Sequence, residues 1–479
     1  MHAQDVPVPP LPEAEISRLR EIFGRDLILN DIKRLTPYGR DQVAGTALHT
    51  TPTAVVLPTT PEQVSQLMQW ANRSGIPVTP RGGGSGLAGA AIPAPGGIVC
   101  SFERMNRILE IDPINMMAVV EPGVITSALD TALAPEGLFF AGYPMSEDIC
   151  FIGGNVAENA GGGRAVKYGT TGTWVTGAHV VTPTGDILRL GGKRIKDVTG
   201  YDLLHLMIGS EGTLGLFTQI TIRVIPRPAV RGVLLLAFPG SEEAAGAVAA
   251  LKRSPALSAI EYIDGETARM ASAALPKKRR ITIPEEAGAF LLVEFDGAGK
   301  TDVERELTGA AELAAQRGAA PPVAGGTDPA EMDRAWALRK AVPWWVKRTA
   351  PGYHSVEDVV VPPGEVPTLV AHAEYLRREF GVPVAVFGHA GDGNFHINPM
   401  KPPAMSPDEW WPLIDRLQRD LYQRVIELGG TISGEHGIGR KRARYLSLAL
   451  SPAELAAMRA VKNALDPGNV LNPGVIFER

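Results

Sequence analysis

Three of the nine histidines stand among glycines beside another polar group. In residues 386–398 (VFGHAGDGNFHIN), His389 and His396 flank Asp392-Gly393, a dipeptide that favours the tight turn of a two-residue β-hairpin. Centring the hairpin there predicts His389 directly opposite His396, with Cβ atoms about 4.5–5.5 Å apart, close enough for two imidazoles to hold one cation. Asn398, two residues further on, is expected on the same face. A third ligand is expected in residues 431–439 (TISGEHGIG), where Glu435 and His436 lie between glycines that allow a tight turn and the approach of a bulky group. Two histidines and a carboxylate with open positions suit zinc, iron or manganese and leave sites for substrate oxygens; His436 then remains as a general base. Against this stands a plainer reading in which each histidine caps a strand or fills a polar hole. His205, isolated in an apolar run over 203–208, fits that plainer reading.

These residues need a scaffold, and the chain is long enough to supply one. Its 479 residues suffice for two or three domains. With 44% apolar and 21% charged residues it reads as an ordinary globular protein, and its net charge of −5 argues against nucleic acid as a partner, since phosphate binding needs a basic face. The basic run Lys277-Lys278-Arg279-Arg280 reads as a solvated loop. Two cysteines, Cys100 and Cys150, are too few for a disulfide framework and suit a reducing compartment. The first 30 residues mix prolines with charges and hold no signal-peptide core, and no run is long and apolar enough to span a membrane. A cytoplasmic protein, with room for peripheral association at the inner membrane, is expected.

After a proline-rich start, a helix is predicted over 13–23. Strand, helix (61–73) and strand (76–79) then deliver the chain to Arg81-Gly82-Gly83-Gly84-Ser85-Gly86. Gly84, Gly86 and Gly89 match GxGxxG, but that motif must open a helix, and Pro93 and Pro95 follow at once. A glycine loop without a helix can still bind phosphate through successive backbone N–H groups. A second glycine loop is expected over 143–163, and a third at 209–215 before a β-branched strand. Three glycine clusters converging on one cofactor is a simpler account than three unrelated turns, although unrelated turns would also satisfy the pattern. From about 229, strands alternate with amphipathic helices, the pattern of an α+β domain. A helix over 331–348, interrupted at Pro343, carries Arg339.

Residues 50–228 resemble the FAD-binding domain of the vanillyl-alcohol oxidase superfamily. Arg81-Gly82-Gly83-Gly84-Ser85-Gly86 is similar to its pyrophosphate loop and residues 152–162 (IGGNVAENAGG) to its second flavin loop. Carried onto this chain, the resemblance implies flavin contacts from those six residues, Pro144, Ser146, Asp148, Gly153, Gly154, Asn155, Ala157, Asn159, Gly161, Glu211 and Asn472. The first loop lacks the histidine of covalently flavinylated members, which implies non-covalent FAD. Residues 389–396, 434–439 and 469–474 resemble the C-terminal half of the D-2-hydroxyacid dehydrogenase branch, which includes the glycolate oxidase catalytic subunit, D-lactate dehydrogenases and D-2-hydroxyglutarate dehydrogenases.

The implied architecture is α+β. It comprises an N-terminal helical segment (1–49), a two-subdomain FAD-binding domain of p-cresol methylhydroxylase (PCMH) type (50–228), a substrate or cap domain (229–425) and a C-terminal segment completing the active site (426–479). The expected reaction is oxidation of a small D-2-hydroxy acid to the 2-oxo acid. His389, His396 and Glu435 hold the metal, His436 takes the hydroxyl proton, and flavin N5 receives the hydride. Arg339 and Asn398 bind substrate, Arg339 through its planar fork, although a surface salt bridge would equally explain an arginine on a helix. Electrons pass to an acceptor other than oxygen: a quinone, a cytochrome, an electron-transfer flavoprotein or partner subunits, in a homodimer or hetero-oligomer. The D-2-hydroxyglutarate enzymes carry a lysine shortly before the position of Asp358, where this chain has Val356, so a monocarboxylate such as glycolate or D-lactate is preferred. Competing readings are a D-2-hydroxyglutarate dehydrogenase, a non-catalytic FAD-binding subunit of an oxidase complex, and an ether-lipid synthase.

Overall fold

The computed structural model describes residues 10–45 and 47–478, so the run through residue 9 and most of the proline-rich start lie outside it. The chain divides into two compact units. One comprises the residues up to Gly161, Thr170–Arg227 and Glu435 onward; the other comprises Gly162–Gly169 and Pro228–Gly434. Both cysteines are buried and unbonded to each other. Among the described residues, no helix is long and apolar enough to cross a membrane.

The first unit holds a four-stranded and a five-stranded sheet. In the four-stranded sheet Val55–Val56, Ile98–Ser101 and Val78–Arg81 run parallel, and Ile28–Leu29 joins antiparallel at the edge. The helix Pro61–Ser74 forms where expected. Thr60 accepts from the Gln63 N–H, Pro61 occupies the first position, and Gly75 ends the helix in the left-handed conformation. Val64, Leu67, Met68 and Ala71 give it one apolar face, packed against the sheet's Val56, Val78, Ile98 and Cys100. The five-stranded sheet is antiparallel throughout, in the order Ile108–Asp112, Met117–Val120, Leu216–Arg223, Val175–Val181, Ile187–Gly191.

The second unit is built on a seven-stranded antiparallel sheet, ordered Ala324–Gly326, Val230–Phe238, Ala289–Gly297, Leu257–Asp264, Val384–His389, Asn394–Pro399, Glu357–Val360. One face carries Val233, Leu235, Ile263, Phe290, Leu292 and Phe387, buried under the helix Pro329–Thr349 through Leu338 and Val342. That helix runs unbroken through Pro343, contrary to the expected interruption. A proline inside a helix costs one hydrogen bond and a steric clash, but burial of Leu338, Val342 and Val346 on either side outweighs that local penalty.

Along the same sheet face the apolar side chains give way, toward one end, to Glu261, Glu294, His389 and His396. Glu294 is fully buried and is held by Arg164 (2.8 Å), Arg231 (2.5 Å), Trp336 Nε1 (2.8 Å) and Ser258 Oγ (3.1 Å). Burial alone would raise its pKa, but the two guanidinium groups pull it down to about 2. A carboxylate depressed in the folded state stabilises fully above its unfolded value near 4.5, and that contribution is lost as pH falls toward 2. The shift corresponds to about 3 kcal/mol. Glu294→Gln is therefore expected to remove about 3 kcal/mol at pH 7, the low end for breaking a buried pair because both arginines reach solvent. Urea titrations at pH 7 and pH 3 check this: the gap between wild type and variant should narrow at the lower pH.

Candidate active site

Asp392-Gly393 does not make the two-residue turn expected of it. Only Gly393 has positive φ (83°), whereas the tight hairpin turn needs it at both positions. The chain instead turns over the four residues between His389 and Asn394, with Asp392 Oδ1 accepting from the Asn394 N–H at 3.2 Å. His389 consequently pairs with Asn394, and His396 pairs with Phe387. The two histidines are thus diagonal rather than opposed, but still on one face, because Phe387 and His389 are two residues apart. Their rings meet edge-on with centroids 5.3 Å apart.

Directly opposite His389 on the next strand stands Glu261, a residue that local sequence gave no reason to single out. Its Oε1 accepts from His389 Nδ1 and its Oε2 from Arg339 Nε, each at 2.7 Å. Burial pushes the Glu261 carboxyl up, yet the adjacent His389 and Arg339 charges and their hydrogen bonds hold it below the usual range. Arg339 is 2% exposed, with its guanidinium 4.8 Å above the Phe387 ring, which removes the surface-salt-bridge explanation. Asn398 is buried, and neither its amide nitrogen nor its oxygen has a hydrogen-bond partner among the described residues. An orphaned buried amide is costly unless a ligand completes it. Two imidazoles, one of them oriented by a carboxylate, beside such an amide form a donor set that fits a borderline divalent cation.

On the far side of His396 lies Asp358, its partner in strand register. Asp358 Oδ1 accepts from Asn394 Nδ2 (2.7 Å) and lies 3.8 Å from His396 Nδ1. Its Oδ2 accepts from Ser433 Oγ (2.8 Å) and the Gly434 N–H (2.9 Å). Gly434 ends the second unit, and Glu435 is the next residue in the chain.

Within the first unit the loop after Gly434 is held by Glu211, whose carboxylate accepts from the Ile438 (2.8 Å) and Gly439 (2.6 Å) N–H groups. Burial drives the Glu211 carboxyl upward against those bonds. Glu158 packs beside it, and its carboxyl is raised by burial and by the Glu211 charge. Glu435 Oε1 and His436 Nε2 are 3.5 Å apart. His205, by contrast, neither caps a strand nor fills a polar hole: it is exposed on the short helix Leu203–Met207 and bonded to the N-capping Asp202 at 2.7 Å.

The glycine clusters of this unit do meet. A Cβ on Gly82 would lie 3.6 Å from Gly154, one on Gly83 would strike the Ile149 carbonyl, and one on Gly212 would press on Pro80. The third cluster docks on the second through Glu211 N–H to the Ala157 carbonyl (2.8 Å) and Gly209 N–H to the Val156 carbonyl (3.0 Å). Asn472 donates to the Glu211 carbonyl at 2.9 Å. The second cluster is not wholly a loop: Ile152–Glu158 is a short helix carrying Gly153, Gly154, Asn155 and Ala157. Gly153 faces Pro122 with no room for a side chain, and Asn159 ends the helix at φ 51°. Asn155 is turned to Thr126 (2.8 Å), and Asn159 Oδ1 accepts from the Gly172 N–H (2.8 Å). Arg81 donates to the Arg40 carbonyl (2.8 Å) and lies over Tyr38. Ser146 closes a turn through its carbonyl, and Asp148 is exposed. Thr79 Oγ1, Ser210 Oγ and Asn472 Oδ1 are buried without partners among the described residues. Side-chain-free backbone beside orphaned polar atoms fits a flat, polar, phosphate-bearing group such as FAD.

Comparison with known proteins agrees with a flavin-binding first unit. Residues 52–191 match the family model described as an FAD binding domain, and residues 227–476 match that of FAD linked oxidases, C-terminal domain. The glycolate oxidase subunit GlcD of Bacillus subtilis is 36% identical over 429 residues, 89% of each chain. The D-lactate dehydrogenase of Anaerostipes hadrus is 36% identical over 431 residues, again 89% of each. The D-2-hydroxyglutarate dehydrogenase of Stutzerimonas stutzeri is 33% identical over 468 residues, 97% of this chain and 99% of the relative. Among solved structures, an alkyldihydroxyacetonephosphate synthase superposes with a TM-score of 0.78 at 21% identity, covering 98% of this chain and 86% of that one. A p-cresol methylhydroxylase does so with 0.78 at 18%, covering 97% of each. These last two establish the fold alone.

Proposed function

We propose, from the premise that this chain belongs to the FAD-linked oxidases, that it oxidises a small D-2-hydroxy acid, of glycolate or D-lactate type, to the 2-oxo acid. The observation that carries this reading is the buried Arg339, linked through Glu261 to His389 and stacked on Phe387, because a buried guanidinium with aromatic backing suits a carboxylate. His389 and His396, joined by Glu435, would hold a divalent cation, and the clustered glycines with Asn472 would hold FAD without a covalent bond. Bound FAD supplies a two-electron acceptor, and the cation supplies a Lewis acid for the hydroxyl oxygen. Arg339 grips the carboxylate and so fixes which face of C2 is presented. Asn398 offers its amide to the same acid. His436 takes the hydroxyl proton as the C2–H electron pair leaves, so that C2 becomes a carbonyl carbon. Val356, in place of a lysine, brings no charge for a second carboxylate, which supports a monocarboxylate. The relatives named glycolate oxidase subunit and D-lactate dehydrogenase support the same substrate class. Electrons would leave to an acceptor other than oxygen.

Anaerobic mixing with glycolate, D-lactate, L-lactate and D-2-hydroxyglutarate tests this reading. Bleaching of the flavin by glycolate or D-lactate, and not by L-lactate, is expected. A flavin that stays oxidised with every acid would sink it, and bleaching by D-2-hydroxyglutarate alone would overturn the monocarboxylate assignment.

A further inference from the structure

Glu261 is fully buried, and each of its oxygens serves a different neighbour. Strand register places it there: Glu261 pairs with His389 across the sheet, so both side chains rise from one face. A carboxylate only accepts, so the bond to His389 keeps a proton on Nδ1 and makes Nε2 the nitrogen that would exchange its proton for a cation. The bond to Arg339 uses Nε. An acid can meet a guanidinium side-on, through Nε and one terminal nitrogen, or end-on, through both terminal nitrogens. With Nε engaged, the end-on approach is the one left. Gly163 lets the chain pass close to this carboxylate, since a Cβ there would fall 2.7 Å from Glu261 Oε1.

We propose that Glu261 is a shared positioning residue, holding His389 in the tautomer that binds a cation and turning Arg339 so that it receives the substrate carboxylate end-on. This rests on the reading of His389 as a ligand and Arg339 as the clamp. One buried carboxylate then couples two tasks, and its loss should disturb both together.

Glu261→Gln, made in the full-length flavin-loaded protein, tests the coupling. The amide oxygen can still accept from His389, but the amide NH2 opposes the Arg339 Nε–H. Zinc and manganese affinity, measured by competition with a chelator, should fall roughly 10–100-fold, the range for loss of a partner behind a metal ligand. At saturating metal, KM for the acid that bleaches the flavin should rise about tenfold or more, by a larger factor than kcat falls. A variant that only melts earlier, with wild-type metal affinity and KM, overturns the proposal and leaves Glu261 as a charge partner of Arg339. Should the glutamine variant fail to fold, Glu261→Asp carries the test. A carboxylate one methylene shorter cannot reach both neighbours, so wild-type values in both measurements would overturn the proposal. The wild type and His389→Ala are titrated alongside. No metal uptake by the wild type, or uptake undiminished in His389→Ala, overturns the cation reading and this inference together. Uptake lost in His389→Ala but intact in Glu261→Gln overturns this inference alone.

Discussion

Replacing His389 with alanine is expected to leave the flavin spectrum unchanged while the protein loses its divalent cation and about three orders of magnitude in turnover. The spectrum should survive because the glycine clusters, Asn472 and the buried orphaned hydroxyls all belong to the first unit, whereas His389 is a strand residue of the second. The cation should not survive, because the proposed three-ligand site, with positions kept open for substrate, would have no surplus donor. Lewis-acid help is worth several kcal/mol; a loss of about 4 kcal/mol is roughly a thousandfold in rate. Metal analysis after dialysis, an absorbance spectrum and steady-state rates with D-lactate or glycolate check the three parts separately. Wild-type turnover in metal-free protein, or stoichiometric metal in the variant, would remove His389 from the ligand set.

What the sequence reveals about this site follows the range over which each interaction acts. His389, His396 and Asn398 share a face because a strand alternates its side chains, and that rule needs only the local sequence. Their exact register is not legible, because it depends on which residues of the turn adopt positive φ, and here Gly393 does so without Asp392. The helix Pro61–Ser74 can be read from its caps, and Glu13–Phe23 from its apolar spacing. The helix Ile152–Glu158 is hidden because glycines at its start suggest a loop, and only the close approach of Pro122 explains why small residues are needed there. Glu261 is the clearest case of what sequence conceals: it lies 128 residues from His389, and no local pattern couples the two strands.

The seven-stranded sheet supplies a physical reason for that concealment. Its covered face is apolar at Ile263, Leu292 and Phe387 and charged one pleat further along at Glu261, Glu294 and His389. In one-dimensional sequence each strand therefore reads as a buried strand with a stray polar residue. Only when the strands are aligned do the strays fall into a single polar patch, in which every carboxylate has cationic or imidazole partners. A buried charge tolerated in this way is destabilising unless paired, so the pairing marks where the fold accommodates chemistry.

Replacing His436 with alanine should have a different signature: metal retained, flavin bound, and reduction slowed by roughly 10²–10⁴-fold, the range for a missing general base. The loop should keep its shape, because its hold on the first unit comes from the Ile438 and Gly439 N–H groups on Glu211 and not from the imidazole. Gly437, at φ 81°, packs against the same acid with no room for a side chain, which fixes the backbone on the other side of His436 from Glu435. The expected loss is therefore one of proton transfer rather than of folding. Single-turnover reduction by the acid that bleaches the wild type, read beside the variant's metal content and flavin spectrum, separates these causes. A variant reduced at the wild-type rate would take His436 out of the reaction, and one that also loses its metal would make it a ligand instead.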